Sequence, residues 1–247
     1  MPQHPGLFPL HAQPLTGSDL HIWSAALSAS AEELAHFHTL LAVDEKARAE
    51  RFYFERDRDR YIVGRGILRM LLAGYLDMEA SEIPFVYGPQ RKPALDVVRG
   101  NKTLHFNLAH CNEWAAYVFG WERPVGIDLE HIRPLPDVDD LVQRFFTPRE
   151  STLIRSLSGE KKWDTFFQIW TCKEAILKAH GSGLTTPLDQ FEISLNENGV
   201  VTVTSHIQDS AELTVWHLET FELIRGYKSA VAAWGNHGKM IFRSFTS

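Results

Sequence analysis

Cysteine is almost absent from this chain. Cys111 and Cys172 are the only two in 247 residues, and they form no Cys-x-x-Cys pair, so neither a disulfide framework nor a thiolate zinc site is indicated. A reducing, cytoplasmic setting is the expectation that follows. Positive charge is also short. The 25 Lys and Arg stand against 31 Asp and Glu, and a net charge of −6 with a pI near 6.0 gives no electrostatic footing for nucleic acid. No apolar run approaches the roughly 18 residues that cross a bilayer, so no membrane span is expected. The N-terminus shows no basic region followed by an apolar core, so no secretory signal is expected either. The 12 histidines are scattered; His36 and His38 fall in an expected helix, where positions two apart point away from each other.

What the chain does have is ordinary globular material, 44% hydrophobic and 23% charged, with length for one large domain or two small ones. Met1–Gly17, with Pro2, Pro5, Pro9 and Pro14, reads as an extended tail packed by Leu7, Phe8 and Leu10. Leu20–Leu27 reads as a strand, followed by a helix capped by Ser30 with Leu34, Phe37, Leu40 and Leu41 as its buried stripe. Asp44–Leu76 reads as two helices. The first is dense in interspersed charge, including Glu45, Lys46, Arg48 and Arg60, which reads as a solvated face of weak ion pairs. In the second, Gly64 and Gly66 interrupt a strong apolar stripe, which points to close approach of another element. Ile83–Tyr87 reads as a strand leading into the turn Gly88–Pro93, and Leu104–Leu108 with Trp114–Phe119 as an antiparallel pair.

Val125-Gly126-Ile127-Asp128-Leu129-Glu130 is the stretch with chemistry in it. As a strand it puts Asp128 and Glu130 on one face, about 6–7 Å apart. Carboxylates that close repel unless a cation lies between them or one is protonated, and hard oxygen donors of this kind suit Mg²⁺. After Pro134 and Pro136, Thr147-Pro148-Arg149-Glu150 reads as a helix start with a capping box, and a longer helix runs from Gly159 to Ala179 and stops at Gly181 and Gly183. Phe191–Leu195, Val200–Thr204, Glu212–Leu218 and Ser229–Trp234 read as an antiparallel meander with a turn at Asn196–Gly199. Element order repeats between Leu20–Gly120 and Val125–Gly235. The expectation is therefore a Pro-rich tail at 1–17, an N-terminal half at 18–122 and a C-terminal half at 123–240, with a ligand cleft between the halves.

Trp170-Thr171-Cys172-Lys173-Glu174-Ala175-Ile176-Leu177-Lys178 places Trp170, Glu174 and Lys178 on one helix face. Taken with Gly126–Glu130 about forty residues earlier, it resembles the 4′-phosphopantetheinyl transferases. Phe106–Cys111 is similar to that family's Asn-x-Ser-His-Ser segment, Gly88–Pro93 to its Gly-Lys-Pro turn, and Arg51-Phe52-Tyr53 and Arg144-Phe145-Phe146 also have counterparts. Ala109 and Cys111 stand where the family has two serines, and Arg91 stands where it has glycine.

The resemblance implies an α/β (α+β) fold of two pseudo-twofold halves, each a small, mainly antiparallel sheet packed on a long helix. It resembles most the monomeric, broad-specificity branch typified by the surfactin-synthetase activator. It implies Mg²⁺ (or Mn²⁺) held by Asp128, Glu130 and Glu174, with catalysis by Glu174, Lys178 and Asp128. Coenzyme A is implied as co-substrate, bound by Lys46, Arg48, Arg60, Lys92, Pro93, Ala109, His110 and Lys178, with Lys173 in a structural role. The implied partner is an acidic apo acyl or peptidyl carrier protein, docked on apolar residues around Thr103–Trp121 and on the segment between Pro134 and Thr147; neither nucleic acid nor membrane is expected. Two rivals predict differently. A non-catalytic coenzyme A- or carrier-binding module would bind without turnover, and a metal-dependent nuclease would need a basic groove and Glu-x-Lys in place of the Glu174-to-Lys178 spacing.

Overall fold

The computed structural model of the chain describes residues 14–88, 92–181, 187–196, 201–205, 216–235 and 237–246. Its first part carries strand β1 (Leu20–Ala26), helices α1 (Ala31–Leu40), α2 (Val43–Ala49) and α3 (Glu55–Leu76), and strands β2 (Phe85–Tyr87), β3 (Pro93–Leu95), β4 (Val98–Arg99), β5 (Lys102–Cys111) and β6 (Trp114–Trp121). Strand β7 (Val125–His131) opens the second part, followed by α4 (Val138–Phe145), α5 (Pro148–Ser156) and α6 (Gly159–His180). Strands β8 (Phe191–Leu195), β9 (Val201–Ser205), β10 (Trp216–Phe221), β11 (Tyr227–Trp234) and β12 (Met240–Phe245) complete it.

Side-chain alternation stacks these elements into layers. In the sheet ordered β12-β1-β6-β5-β4, Trp23, Ala25, Ala115, Tyr117 and Phe119 face the 22-residue α3, with Ile67, Leu68, Leu71 and Leu72 against them. Their neighbours Leu20, Ile22, Ala116 and Val118 face the other way, onto Val125, Ile127, Leu129, Val231 and Ala233 of the sheet ordered β10-β11-β7. The outer face of that second sheet packs on α6, also 22 residues long, through Ala230 and Ala232. The order is thus helix, sheet, sheet, helix, with the facing sides of the two sheets packed as core. At its edge β5 and β7 run side by side in the same direction. Two side chains of β5 stand in for a backbone ladder there: Asn107 Oδ1 accepts from Ile127 N at 2.9 Å and Cys111 Sγ from His131 N at 3.4 Å.

Local signals behave as the residues dictate. Ser30 Oγ accepts from Glu33 N at 3.2 Å and Glu33 answers at Ser30 N at 2.7 Å, while Thr147 and Glu150 repeat the box at α5. Gly181, at φ 77°, takes the left-handed cap of α6. A Cβ on Gly66 would lie 2.6 Å from Phe37 Cδ1, so that glycine lets α1 seat against α3.

Other expectations need correction. Glu45 is 1% exposed: its carboxylate takes Arg65 Nε on one oxygen and Arg69 Nε, at 2.6 Å, on the other. It also accepts from Ala42 N at 2.8 Å, closing the start of α2, so the charged face has a buried centre in place of a wholly solvated one. Among the described residues the expected four-stranded meander divides, with β8 pairing with β9 and β10 with β11, while 212–215 of the expected strand Glu212–Leu218 lie outside them. Strand β12, lying beyond the expected 123–240 half, joins the first sheet parallel to β1, with Leu20 opposite Met240 and Ala25 opposite Phe245. Leu7, Phe8, Leu10, Arg91, Gly183 and the turn residues 197–199 lie outside the described residues.

Within the first sheet His21 is fully buried, its Nδ1 2.7 Å from Tyr75 Oη, which also accepts from Trp23 Nε1 at 2.9 Å. Burial, with Arg243 adding repulsion, lowers its pKa to about 4. The folded pKa lies below the unfolded value, so the group's contribution to stability is intact above about pH 6.5 and is lost as pH falls toward 4. A loss of about 3 kcal/mol is expected between those limits. Urea unfolding at stepped pH checks it, and His21→Gln should flatten that part of the curve.

Candidate functional site

The outer face of β7 is where chemistry-bearing residues gather, because Gly126, Asp128 and Glu130 share it by alternation. Gly126 has no side chain to hold α6 away. A Cβ there would fall 2.1 Å from Ala175 O and 2.4 Å from Ala179 N, so the helix backbone lies directly on the strand. That seating brings Glu174 and Lys178, one turn apart on α6, over Asp128. Lys178 Nζ donates to Asp128 Oδ1 at 2.7 Å. His110, Asp128, Glu130, Phe145, Trp170, Glu174 and Lys178 line one cavity of about 400 Å³.

Electrostatics there are strained. Asp128 is 5% exposed, and its Oδ2 is buried with no hydrogen-bond partner. Burial, then the charge of Asp128, raises the pKa of Glu174 and likewise of Glu130. Cys111 donates its thiol to Glu130 Oε2 at 3.8 Å, and Arg133 stands 3.7 Å from the same oxygen. His110 is exposed at the rim. Surrounding protein, with Lys178, Arg48 and Arg60 adding repulsion, lowers its pKa, so several positive groups converge on one point. Arg48 lies over the Tyr61 ring at 5.3 Å and shares a second cavity, of about 740 Å³, with Arg51, Phe52, Tyr61 and Tyr87.

The remaining sequence candidates are placed differently. Arg60 sits 3.6 Å from Glu113 and within the field of His110. Lys46, two positions from Arg48 on α2, does not line the larger cavity. Lys92 is turned to the end of α6, donating to Lys178 O and, at 3.2 Å, to Ala179 O, and burial lowers its pKa to about 8. Its ammonium thus meets the carbonyls of a helix C-terminus, where a positive charge is favoured. Pro93 begins β3 opposite Tyr87, and Ala109, 3% exposed, packs between the sheets because alternation turns it away from His110. Lys173 is fully buried, 3.0 Å from Glu150 Oε1 and donating to Leu188 O and Phe191 O at 2.7 and 2.6 Å, which is the structural role expected for it. Leu104, Phe106 and Ala115–Phe119 are core residues, so the expected apolar docking patch on β5 and β6 has no exposed apolar surface from them; α4, between Pro134 and Thr147, does present Asp139, Asp140, Gln143 and Arg144 outward. Tyr61 and Tyr87 line the larger cavity without having been singled out in the sequence, because nothing in their local spacing marks them, while Phe145 of the Arg144-Phe145-Phe146 stretch lines the smaller one.

The donor set suits a hard cation. Asp128, Glu130 and Glu174 offer only oxygen, one of those oxygens is buried without a partner, and burial, then mutual repulsion, raises the pKa of Glu130 and Glu174. As they stand, the three do not bring one ligand oxygen each within 4.8 Å of one another, wider than the span of an octahedron with bonds of about 2.1 Å, so an ion there would draw them closer or reach one of them through water.

Two family models match the chain in series: one described as 4′-phosphopantetheinyl transferase, N-terminal, over residues 25–119, and one described as the 4′-phosphopantetheinyl transferase superfamily, over residues 124–233. Among relatives, the chain is 43% identical over 181 residues to the 4′-phosphopantetheinyl transferase HetI of Nostoc sp., covering 73% of this chain and 76% of that one. It is 37% identical to the putative 4′-phosphopantetheinyl transferase slr0495 of Synechocystis sp., covering 76% and 74%. To the 4′-phosphopantetheinyl transferase Sfp of Bacillus subtilis it is 28% identical, covering 83% and 87%.

Proposed function

Since this chain belongs to the 4′-phosphopantetheinyl transferase superfamily, we propose that it moves the 4′-phosphopantetheine arm of coenzyme A onto a serine hydroxyl of apo acyl or peptidyl carrier proteins. The observation that carries this reading is the single cavity in which Asp128, Glu130 and Glu174 meet Lys178 and His110. In the reaction the serine oxygen bonds to the phosphorus on the pantetheine side of the pyrophosphate. The bond from that phosphorus to the bridging oxygen breaks, and adenosine 3′,5′-bisphosphate leaves.

Asp128, Glu130 and Glu174 would hold Mg²⁺, or Mn²⁺. Bound there, the cation supplies charge neutralisation for the pyrophosphate oxygens. Glu174, whose raised pKa brings it nearer the working pH, accepts the serine proton. Lys178 is pinned by Asp128 in a position to offer a compact positive charge to the pyrophosphate. Arg48 and Arg60 form a positive corner beside the His110 imidazole that suits the 3′-phosphate, and the Tyr61–Tyr87 cavity beside Arg48 has aromatic walls for the adenine. Burial of the inter-sheet core joins the halves 18–122 and 123–240 as one cavity-bearing body, and we take the working unit to be a cytoplasmic monomer. None of the described helices is long and apolar enough to cross a membrane. The carrier's acidic helix docks beside α4, where Arg144 is exposed.

Intact mass spectrometry of an apo carrier protein incubated with this protein, coenzyme A and Mg²⁺ tests the reaction. A gain of one phosphopantetheine arm that EDTA abolishes is expected; coenzyme A binding without any gain across several carrier types would leave only a binding module. Arg48→Ala is expected to raise the KM for coenzyme A about tenfold with kcat nearly unchanged, since a phosphate contact remote from the reacting bond acts alike on ground and transition states.

A further inference from the structure

Far from the carboxylate cavity, three other side chains converge without an evident need of one another. His217 and Glu219, two apart on β10, share one face of that edge strand, and His217 Nε2 lies 3.0 Å from Glu219 Oε1. His237, from the link that leads into β12, brings its own Nε2 to 2.9 Å from the same oxygen. The two imidazoles stand edge to face at 4.3 Å, and one ligand atom from each of the three residues falls within 4.8 Å of the others.

Protonation makes this arrangement informative. His237 Nδ1 is 2.8 Å from Gly238 O, which only accepts, so Nδ1 carries a ring proton, and in the neutral ring Nε2 keeps its lone pair. That Nε2 belongs to a side chain 5% exposed and has no hydrogen-bond partner, yet it is aimed at a carboxylate oxygen, another acceptor. Two lone pairs facing each other in a sheltered place call for a positive centre between them. Separations of 2.9 and 3.0 Å are close to the edge of a tetrahedron around Zn²⁺, about 3.3 Å for ligand bonds of about 2.0 Å.

We infer that His217, Glu219 and His237 bind a zinc-type divalent transition-metal ion. Two imidazole nitrogens and one carboxylate oxygen make three protein ligands, with water in the fourth position. Imidazole donors select for such ions over Mg²⁺, so this site and the all-oxygen site are chemically distinct. Position suggests what the ion does. Strand β10 belongs to the second sheet, while the link bearing His237 is tied to the start of the first, Gly238 N donating to Ser18 O and Lys239 N to Asp19 Oδ1, each at 2.8 Å. A metal here staples the second sheet to the link that carries β12 into the first.

The test uses the full chain, stripped with chelator and kept in excess Mg²⁺ so that the carboxylate cavity is filled. Isothermal titration with ZnCl₂ is expected to show one ion per chain, and melting at a hundredfold excess over Kd to rise by about 5–10 °C. Co²⁺ in place of Zn²⁺ should give the visible absorption of an ion in low coordination. His217→Ala, a half-exposed edge-strand change that the fold tolerates, should abolish the stoichiometric binding and the melting shift, and Glu219→Gln should weaken both, with carrier modification unaffected. Undiminished stabilisation in His217→Ala, or none in the parent, overturns the site.

Discussion

Replacing Gly126 by alanine is expected to cost more than about 4 kcal/mol, enough to leave the chain largely insoluble or unfolded at 37 °C. The added methyl would meet backbone on two sides, Ala175 O at 2.1 Å and Ala179 N at 2.4 Å, and backbone in the middle of a helix has no rotamer with which to yield. Overpacking against side chains usually costs about 1–3 kcal/mol because they can turn aside; here α6 must lift from β7 as a whole. Phe166, Ile169 and Ile176 would be drawn out of the second core with it. Whatever protein survives should be inactive, because lifting α6 carries Glu174 and Lys178 away from Asp128. Urea unfolding together with the carrier-modification assay checks both effects, and a variant with the parent's midpoint would refute the contact. Gly66→Ala, whose methyl strikes the Phe37 side chain, should be the milder of the two.

Glu174→Gln is expected to lower the rate of carrier modification about 10³-fold, the range of a lost general base, while raising the melting temperature of the cation-free protein. The signs follow from the site. Burial and Asp128 hold the folded pKa of Glu174 above its unfolded value. The stability this group contributes is therefore fully present below the unfolded pKa and is lost as pH rises through the folded one. Near neutral pH the charged side chain is a net cost, and the amide removes it. The gain should be visible at about pH 7.5 and vanish below about pH 4. Adding Mg²⁺ and coenzyme A should reverse the order, since the parent gains from the cation and the variant gains little. Thermal melts with and without both ligands measure all of this, and a variant that is active, or less stable than the parent without ligands, would contradict the assignment.

What could be read from the chain alone was local. The capping boxes at Ser30 and Thr147, the alternation of β5, β6 and β7, and the shared face of Trp170, Glu174 and Lys178 each depend on residues within a few positions of one another. The structural role of Lys173, paired with an acid, was also expected from the chain and is met by Glu150. Long-range partners escaped. Glu45 looked solvated because the arginines that bury it lie 20 and 24 residues on. The helix end that Lys92 meets was hidden likewise, because it is 86 residues away in sequence. His217 fell inside the expected strand Glu212–Leu218 but Glu219 beyond its end, and His237 reaches them only through the link before β12, in a segment outside the repeated order of the two halves.

Strand β12 carries a consequence for how the protein is made. It occupies one side of β1, and Phe245 fills the first core against Phe37, with ring centroids 6.5 Å apart. During synthesis β1, α3, β5 and β6 emerge first and can assemble, but the free edge of β1 stays without its neighbour until about 120 further residues have been added. At about 5–20 residues per second that interval lasts roughly ten seconds, during which an apolar strand edge is open to any other nascent chain on the same message. The ribosome, and whatever chaperone waits at its exit, must shelter that edge.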